Sequence, residues 1–121
     1  MPKRILFVDD EKVILDVVSL MLQYEGYQVE ARRDGSEAFS AFNQDPWGFD
    51  LVMTDLFMSE LTGLGLAQKV RQIRPEIPII LLTGGDSGIE SEAEALGIRW
   101  IAQKPIAMEP LIDMVKRALN E

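Results

Sequence analysis

The sequence predicts an α/β fold, a five-stranded parallel sheet with helices on both faces, doubly wound into a three-layer sandwich. Three observations carry this. Short β-branched runs alternate with longer stretches of helical periodicity, in five successive pairs. The links between them are short and hold Gly, Pro and Asp. The 121 residues, 47% hydrophobic and 26% charged, suffice for one ordinary core, so a single domain over 1–121 is expected.

The first strand is Ile5-Leu6-Phe7-Val8, which ends in Asp9-Asp10. A helix over Val13 to Tyr24 comes next, with apolar positions 14, 17, 18 and 21 on one stripe and Gly26 as its stop. Tyr27 to Ala31 alternates as a second strand. Asp34 is placed to cap a helix from Ser36 to Asn43. Asp45-Pro46-Trp47-Gly48 breaks the chain. Phe49 to Thr54 is the third strand and ends at Asp55, with a loop from Leu56 to Gly63 behind it. The next helix shows Leu66, Ala67, Val70 and Ile73, and Pro75 closes it. Ile77 to Leu82 is a buried fourth strand ending at Thr83, its proline near the start, where a missing N–H is tolerated. After the glycine-rich stretch 84–88 comes a short acidic helix, Ile89 to Leu96, stopped by Gly97. Ile98 to Ala102 is the fifth strand, Gln103-Lys104-Pro105 succeeds it, and a last helix covers Met108 to Asn120. Parallel strands joined through helices imply right-handed crossovers.

Composition excludes several classes of function. Acids outnumber bases 20 to 12, a net charge of −8, so nucleic acid or an anionic membrane is not a partner of this chain by itself. Cysteine and histidine are absent, which removes disulfides, thiolate nucleophiles, His-ligated zinc and imidazole acid–base chemistry. The lead Met1-Pro2-Lys3-Arg4 is too short for a signal peptide, and no apolar run approaches the ~18 residues of a membrane span, so a cytoplasmic location is expected.

Ligands of open parallel sheets bind outside the carboxyl ends of the strands. The polar residues at those ends are Asp9 and Asp10, then Asp55, then Thr83 with Gly84, then Lys104. Three carboxylates, a hydroxyl and an ammonium thus share one edge. Crowded carboxylates raise one another's pKa unless a cation intervenes. Oxygen ligands without His or Cys favour a hard divalent ion, Mg²⁺ foremost. An aspartate beside such an ion is a nucleophile toward phosphorus, and Lys104 and the Thr83 hydroxyl suit phosphoryl oxygens.

With these residues in order at four strand ends, the sequence resembles a receiver domain, the phosphoacceptor module of two-component response regulators, over essentially its whole length. The resemblance implies a flavodoxin-like strand order, 2-1-3-4-5. It implies that Asp55 is phosphorylated by a histidine kinase or histidine phosphotransfer protein, with Mg²⁺ (or Mn²⁺) as cofactor. Asp10 would touch the ion directly, Asp9 largely through water, and Asp55 and the Phe57 backbone carbonyl would complete the protein ligands. Lys104 would pair with the phosphorylated carboxylate, Thr83 would turn toward it, and the Lys104–Pro105 bond would be cis. The domain would be a switch and not an enzyme in its own right. An output domain or hybrid kinase outside this chain, and a homodimer through the fourth helix, fifth strand and fifth helix, are further expectations.

The chain departs from the family pattern in places. Ser59 stands where proline is usual, and Gly84 where alanine is. Ile101 stands where many members carry a switch Tyr or Phe, and Trp100, one residue out of register, points to the opposite face. Gly85 and the apolar Phe57 offer nothing to steer a water, so slow self-dephosphorylation is expected.

Plainer readings stand beside these. Asp10 suits the cap of the first helix. Asp55 alone would be a turn residue, Thr83 a strand-end hydroxyl and Lys104 a solvated surface lysine. Glu90, Glu92 and Glu94 suit a solvated helix face, and Met108, Leu111 and Met114 suit core and flank. Gly63-Leu64-Gly65 lacks the strand and third glycine of a dinucleotide loop. Three other functions compete: a phosphatase of the haloacid dehalogenase type, which wants an Asp where Phe57 stands; an FMN-binding protein, which wants a phosphate loop after the first strand; and a pseudo-receiver, a protein-interaction module that is not phosphorylated.

Overall fold

The computed structural model describes residues 2–58, 61–84 and 88–120. In chain order the elements are β1 (Arg4–Val8), α1 (Lys12–Tyr24), β2 (Gln28–Arg32), α2 (Gly35–Gln44), β3 (Leu51–Asp55), α3 (Gly63–Ile73), β4 (Ile79–Thr83), α4 (Glu90–Ala95), β5 (Trp100–Gln103) and α5 (Met108–Ala118), with a 3₁₀ turn at Pro46–Gly48. The strands form one parallel sheet in the order β2-β1-β3-β4-β5. This is the doubly wound arrangement expected.

The middle strands β3 and β4 are buried along their whole length, as a sheet covered on both faces requires. Alternate residues feed two cores. Leu6, Val8, Val52, Ile79 and Leu81 meet α2, α3 and α4 through Ala38, Phe42, Leu66, Val70 and Ala93. Ile5, Phe7, Met53, Ile80 and Leu82 meet α1 and α5 through Leu15, Val18, Leu22, Leu111 and Val115. Ile101 packs toward the first core and Trp100 toward the second, so the two do lie on opposite faces of β5.

Local signals set the ends. Gly26 takes a φ of +98°, a left-handed turn that reverses the chain out of α1 toward β2. Asp34 caps α2, its Oδ1 accepting from the Glu37 N–H at 2.8 Å. Thr62 caps α3 in the same way, its Oγ1 accepting from Gly65 N–H at 3.1 Å. Gly63 and Gly65 are therefore first-turn helix residues, not a phosphate loop. At the amino edge of the sheet Arg74 donates to the carbonyls of Pro46 and Phe49 and lies 4.7 Å over the Trp47 ring.

One face of α1 is left uncovered. Val13, Val17, Leu20 and Tyr24 are all exposed, at spacings of four, three and four. Such spacing makes a continuous apolar seam along two turns and more. Among the described residues no helix is long and apolar enough to cross a membrane.

Candidate functional site

Parallel register brings the strand ends together. Val8 pairs with Thr54, Asp55 with Leu82, and Thr83 with Gln103. The pairing continues one residue beyond each strand: Asp9 N–H donates to Arg32 O at 3.2 Å, Leu56 N–H to Leu82 O at 2.8 Å, and Lys104 N–H to Thr83 O at 2.8 Å. The residues at the ends of four apolar runs are thereby held at one edge by main-chain bonds.

Asp9 is 0%, Thr83 2% and Asp55 5% exposed, whereas Asp10 is exposed. Carboxylate oxygens of Asp9, Asp10 and Asp55 lie within 4.8 Å of one another. The Lys104 ammonium enters from β5, 3.1 Å from Asp9 Oδ2, 3.3 Å from Asp55 Oδ1 and 3.0 Å from Glu11 Oε1. The peptide after it, Lys104–Pro105, is cis. The residues expected to act together at Asp9, Asp10, Asp55, Thr83 and Lys104 thus sit at a common edge. Phe57 comes two residues after Asp55 with its side chain exposed. A Cβ at Gly84 would meet no described atom within 4 Å, so the alanine usual at this position would fit. Ser59, Gly85 and the Glu90 side chain lie outside the described residues.

The electrostatics stem from burial. Burial pushes the Asp55 carboxyl up to about 6; the Asp9 charge adds to the rise and Lys104 opposes it. Asp9 is also raised, by burial first, against the lowering effect of the Glu11 N–H and Lys104. Burial works against the charge on Lys104, but its close contacts with Glu11 and Asp9 and the charge of Asp55 prevail and hold its pKa above the usual lysine range.

Asp9 Oδ2 is buried and makes no hydrogen bond; Lys104 approaches it as a charge, outside hydrogen-bonding angles. A buried carboxylate oxygen without a hydrogen-bond donor, beside two further carboxylates, fits a hard divalent cation with oxygen ligands. Asp9, Asp10 and Asp55 are the side chains able to hold one.

Three residues have supporting roles that the sequence does not assign them. Thr54, buried beside Asp55, donates from Oγ1 to the Asp55 carbonyl at 2.9 Å. Gly63 comes so close to Asp55 that a Cβ would lie 2.3 Å from its carbonyl oxygen. Glu11 pairs with Lys104 across 93 positions, a distance that hides the pairing from any local pattern. One local reading is corrected. The carboxylate serving the entry to α1 is Asp9, whose Oδ1 accepts from Glu11 N–H at 2.9 Å; Asp10 does not cap the helix, whose cap position is Glu11.

Comparison with known proteins agrees with this geometry. The profile of the response regulator receiver domain matches residues 5–116. The probable transcriptional regulatory protein TcrX of Mycobacterium tuberculosis is 34% identical over 98% of this chain and 50% of its own length. The transcriptional regulatory protein GlrR of Escherichia coli is 31% identical over 99% of this chain and 27% of its own. Among solved structures, a response regulator receiver domain protein from Clostridium thermocellum superposes with a TM-score of 0.92 at 28% identity, covering 98% of this chain and 94% of that one. The chemotaxis protein CheY4 of Vibrio cholerae gives 0.91 at 32% identity, covering 98% and 100%. The chain spans about half the length of the first curated relatives, 51%, 50% and 46%.

Proposed function

The chain belongs to the response regulator receiver domain family of two-component signalling, and from that premise we propose that it is a phosphoacceptor switch in which Asp55 takes a phosphoryl group from a partner phosphohistidine. The observation that carries the proposal is the convergence of Asp9, Asp10 and Asp55 on one edge with Lys104 bridging Asp9 and Asp55.

In the transfer, an Asp55 carboxylate oxygen forms the new O–P bond as the donor's N–P bond breaks. The bonding pair stays on the imidazole nitrogen, which takes a proton from solvent. Lys104, just beyond β5, would balance charge on the acyl phosphate, and Thr83 at the end of β4 would turn to donate to a phosphoryl oxygen. Asp9, Asp10, Asp55 and the Phe57 carbonyl are the groups that would hold Mg²⁺ or Mn²⁺, which when bound supplies positive charge against the phosphoryl oxygens. The exposed Phe57 ring presents no hydrogen-bonding group to a hydrolytic water, so the phosphorylated state outlasts seconds.

The donor is a histidine kinase or phosphotransfer protein, and it docks along the apolar seam of α1, whose amino end lies just beyond Asp9 and Asp10. Added charge at Asp55 then biases the loops and α4 toward a second packing, altering the face that a partner reads. With aliphatic Ile101 half-buried against the core, this coupling does not run through a rotating aromatic at that position. The greater length of relatives named as transcriptional regulators supports an output unit beyond the receiver. Exposed Glu92 and Glu94 on α4, with Arg99 just before β5 and Arg117 on α5, support self-pairing through that face. A cytoplasmic setting goes with this role.

Incubation with Mg²⁺ and acetyl phosphate, and then intact-mass measurement, tests the reading. A single phosphoryl adduct is expected, absent in Asp55→Asn and persisting beyond seconds after the donor is removed. No adduct with acetyl phosphate or a phosphohistidine protein would leave the unphosphorylated interaction module as the better account.

A further inference from the structure

We propose that Glu11 is the displaceable counter-ion of Lys104: it occupies the lysine in the unphosphorylated domain, yields it to phosphoryl oxygens, and thereby sets how readily the site accepts a small phosphodonor. The proposal rests on the phosphoacceptor reading of Asp55.

Three carboxylates surround the Lys104 ammonium, and they are not equivalent. Asp9 and Asp55 are buried at strand ends and cannot leave. The Glu11 side chain is 60% exposed, yet its Oε1 makes the shortest of the three approaches, 3.0 Å, and covers a lysine that is only 13% exposed. An ammonium has three donors, and a phosphoryl group arriving at Asp55 needs some of them. Surrendering a buried aspartate would strand its charge, whereas an exposed glutamate is rehydrated on release. Glu11 is therefore the partner that gives way.

The released carboxylate also has somewhere to go. Glu11 occupies the cap position of α1 but makes no side-chain capping bond, and the first turn of α1 holds no acidic residue. The partial positive charge at that helix end favours a carboxylate there. The Glu11 N–H meanwhile stays on Asp9 Oδ1, at 2.9 Å, so the side chain can swing without unseating Asp9. Glu11 acts through Lys104 and is a positioning residue.

The test compares wild type, Glu11→Gln and Asp16→Asn for labelling by acetyl phosphate with Mg²⁺, separating half-saturating concentration from maximal rate. Asp16 is an exposed α1 carboxylate paired with Lys12 at 2.7 Å, so its variant removes the same charge without touching Lys104. Glu11→Gln is expected to lower the half-saturating concentration roughly fivefold, about 1 kcal/mol, with the maximal rate held within about twofold. Asp16→Asn should match wild type. In the metal-free domain the ¹⁵Nζ resonance of Lys104 should move in Glu11→Gln and stay in Asp16→Asn. An unchanged half-saturation in Glu11→Gln, an equal fall in Asp16→Asn, or an unmoved Lys104 resonance would overturn the proposal. Wild type that takes no label from any donor would instead overturn the phosphoacceptor reading itself, a result the Lys104 resonance does not depend on.

Discussion

Asp55 is the residue at which burial and chemistry meet most directly. Its carboxyl, near 3.8 in an unfolded chain, titrates at about 6 in the fold. The folded protein therefore binds a proton more tightly than the unfolded one between these values. Stability from this source is present at low pH and is lost as pH rises through 6; the raised Asp9 acts in the same sense. In EDTA, Asp55→Asn should gain on the order of 2 kcal/mol over wild type at pH 7, and the gain should shrink toward pH 4. Calorimetry at the two pH values checks this, and a variant that melts below wild type at pH 7 would remove carboxylate crowding as the cause. Polar residues directly after apolar runs make Asp55, Thr83 and Lys104 legible in the sequence. The difference in burial between Asp9 and Asp10 is not, because Asp9 bonds to Arg32 at the end of β2 and pairs with Lys104 beyond β5, contacts that local pattern does not contain.

Among the elements, the five strands and five helices are legible from periodicity, but their ends are less so. Phe49, Ile77 and Ile98 read as strand residues and are buried, yet each precedes the ladder, which starts at Leu51, Ile79 and Trp100. Hydrophobicity records burial, and burial extends beyond hydrogen-bonded pairing into the connections. The start of α3 shows the reverse case, in which packing rather than pattern dictates a residue. Its first residue, Gly63, donates to Leu56 O at 2.9 Å and lies too close to the Asp55 carbonyl to carry a side chain. Gly63→Ala should cost about 2 kcal/mol in urea unfolding, by overpacking at the loop beyond Asp55. Stability equal to wild type would show that the loop yields easily. The sequence marks this glycine as a loop end and as part of a rejected dinucleotide motif, not as a packing necessity, since the clash exists only in three dimensions.

For the molecule as a whole, two cores lie back to back across one sheet, and the clustered carboxylates Asp9, Asp10 and Asp55 lie at one of its edges. In the proposed function the apolar seam of α1 is where the phosphohistidine donor docks. Val17→Gln with Leu20→Gln should cut transfer from a phosphohistidine phosphotransfer domain that labels wild type by about tenfold, while leaving acetyl phosphate labelling unchanged. Equal loss with both donors would place the damage in the fold, and no loss with either would move the docking face elsewhere. Fold and site are legible in the sequence because both depend on order along the chain. The seam is not, because a helix pattern does not say which of two apolar faces the sheet will cover.

Both tryptophans stand away from the edge that gathers Asp9, Asp10 and Asp55. Trp47 precedes β3, and Trp100 opens β5 opposite Ile80, with Arg99 and Arg117 within 5.4 and 5.5 Å of its ring. Trp100 is three residues upstream of Gln103, the partner of Thr83, which at ~3.3 Å per residue is about 10 Å along the strand. Native emission is therefore a gauge of whether the molecule is intact, and, because Trp100 lies beside Arg99 and Arg117 of the proposed pairing face, an observer watching light alone would see denaturation and self-association more readily than events at the carboxylates themselves.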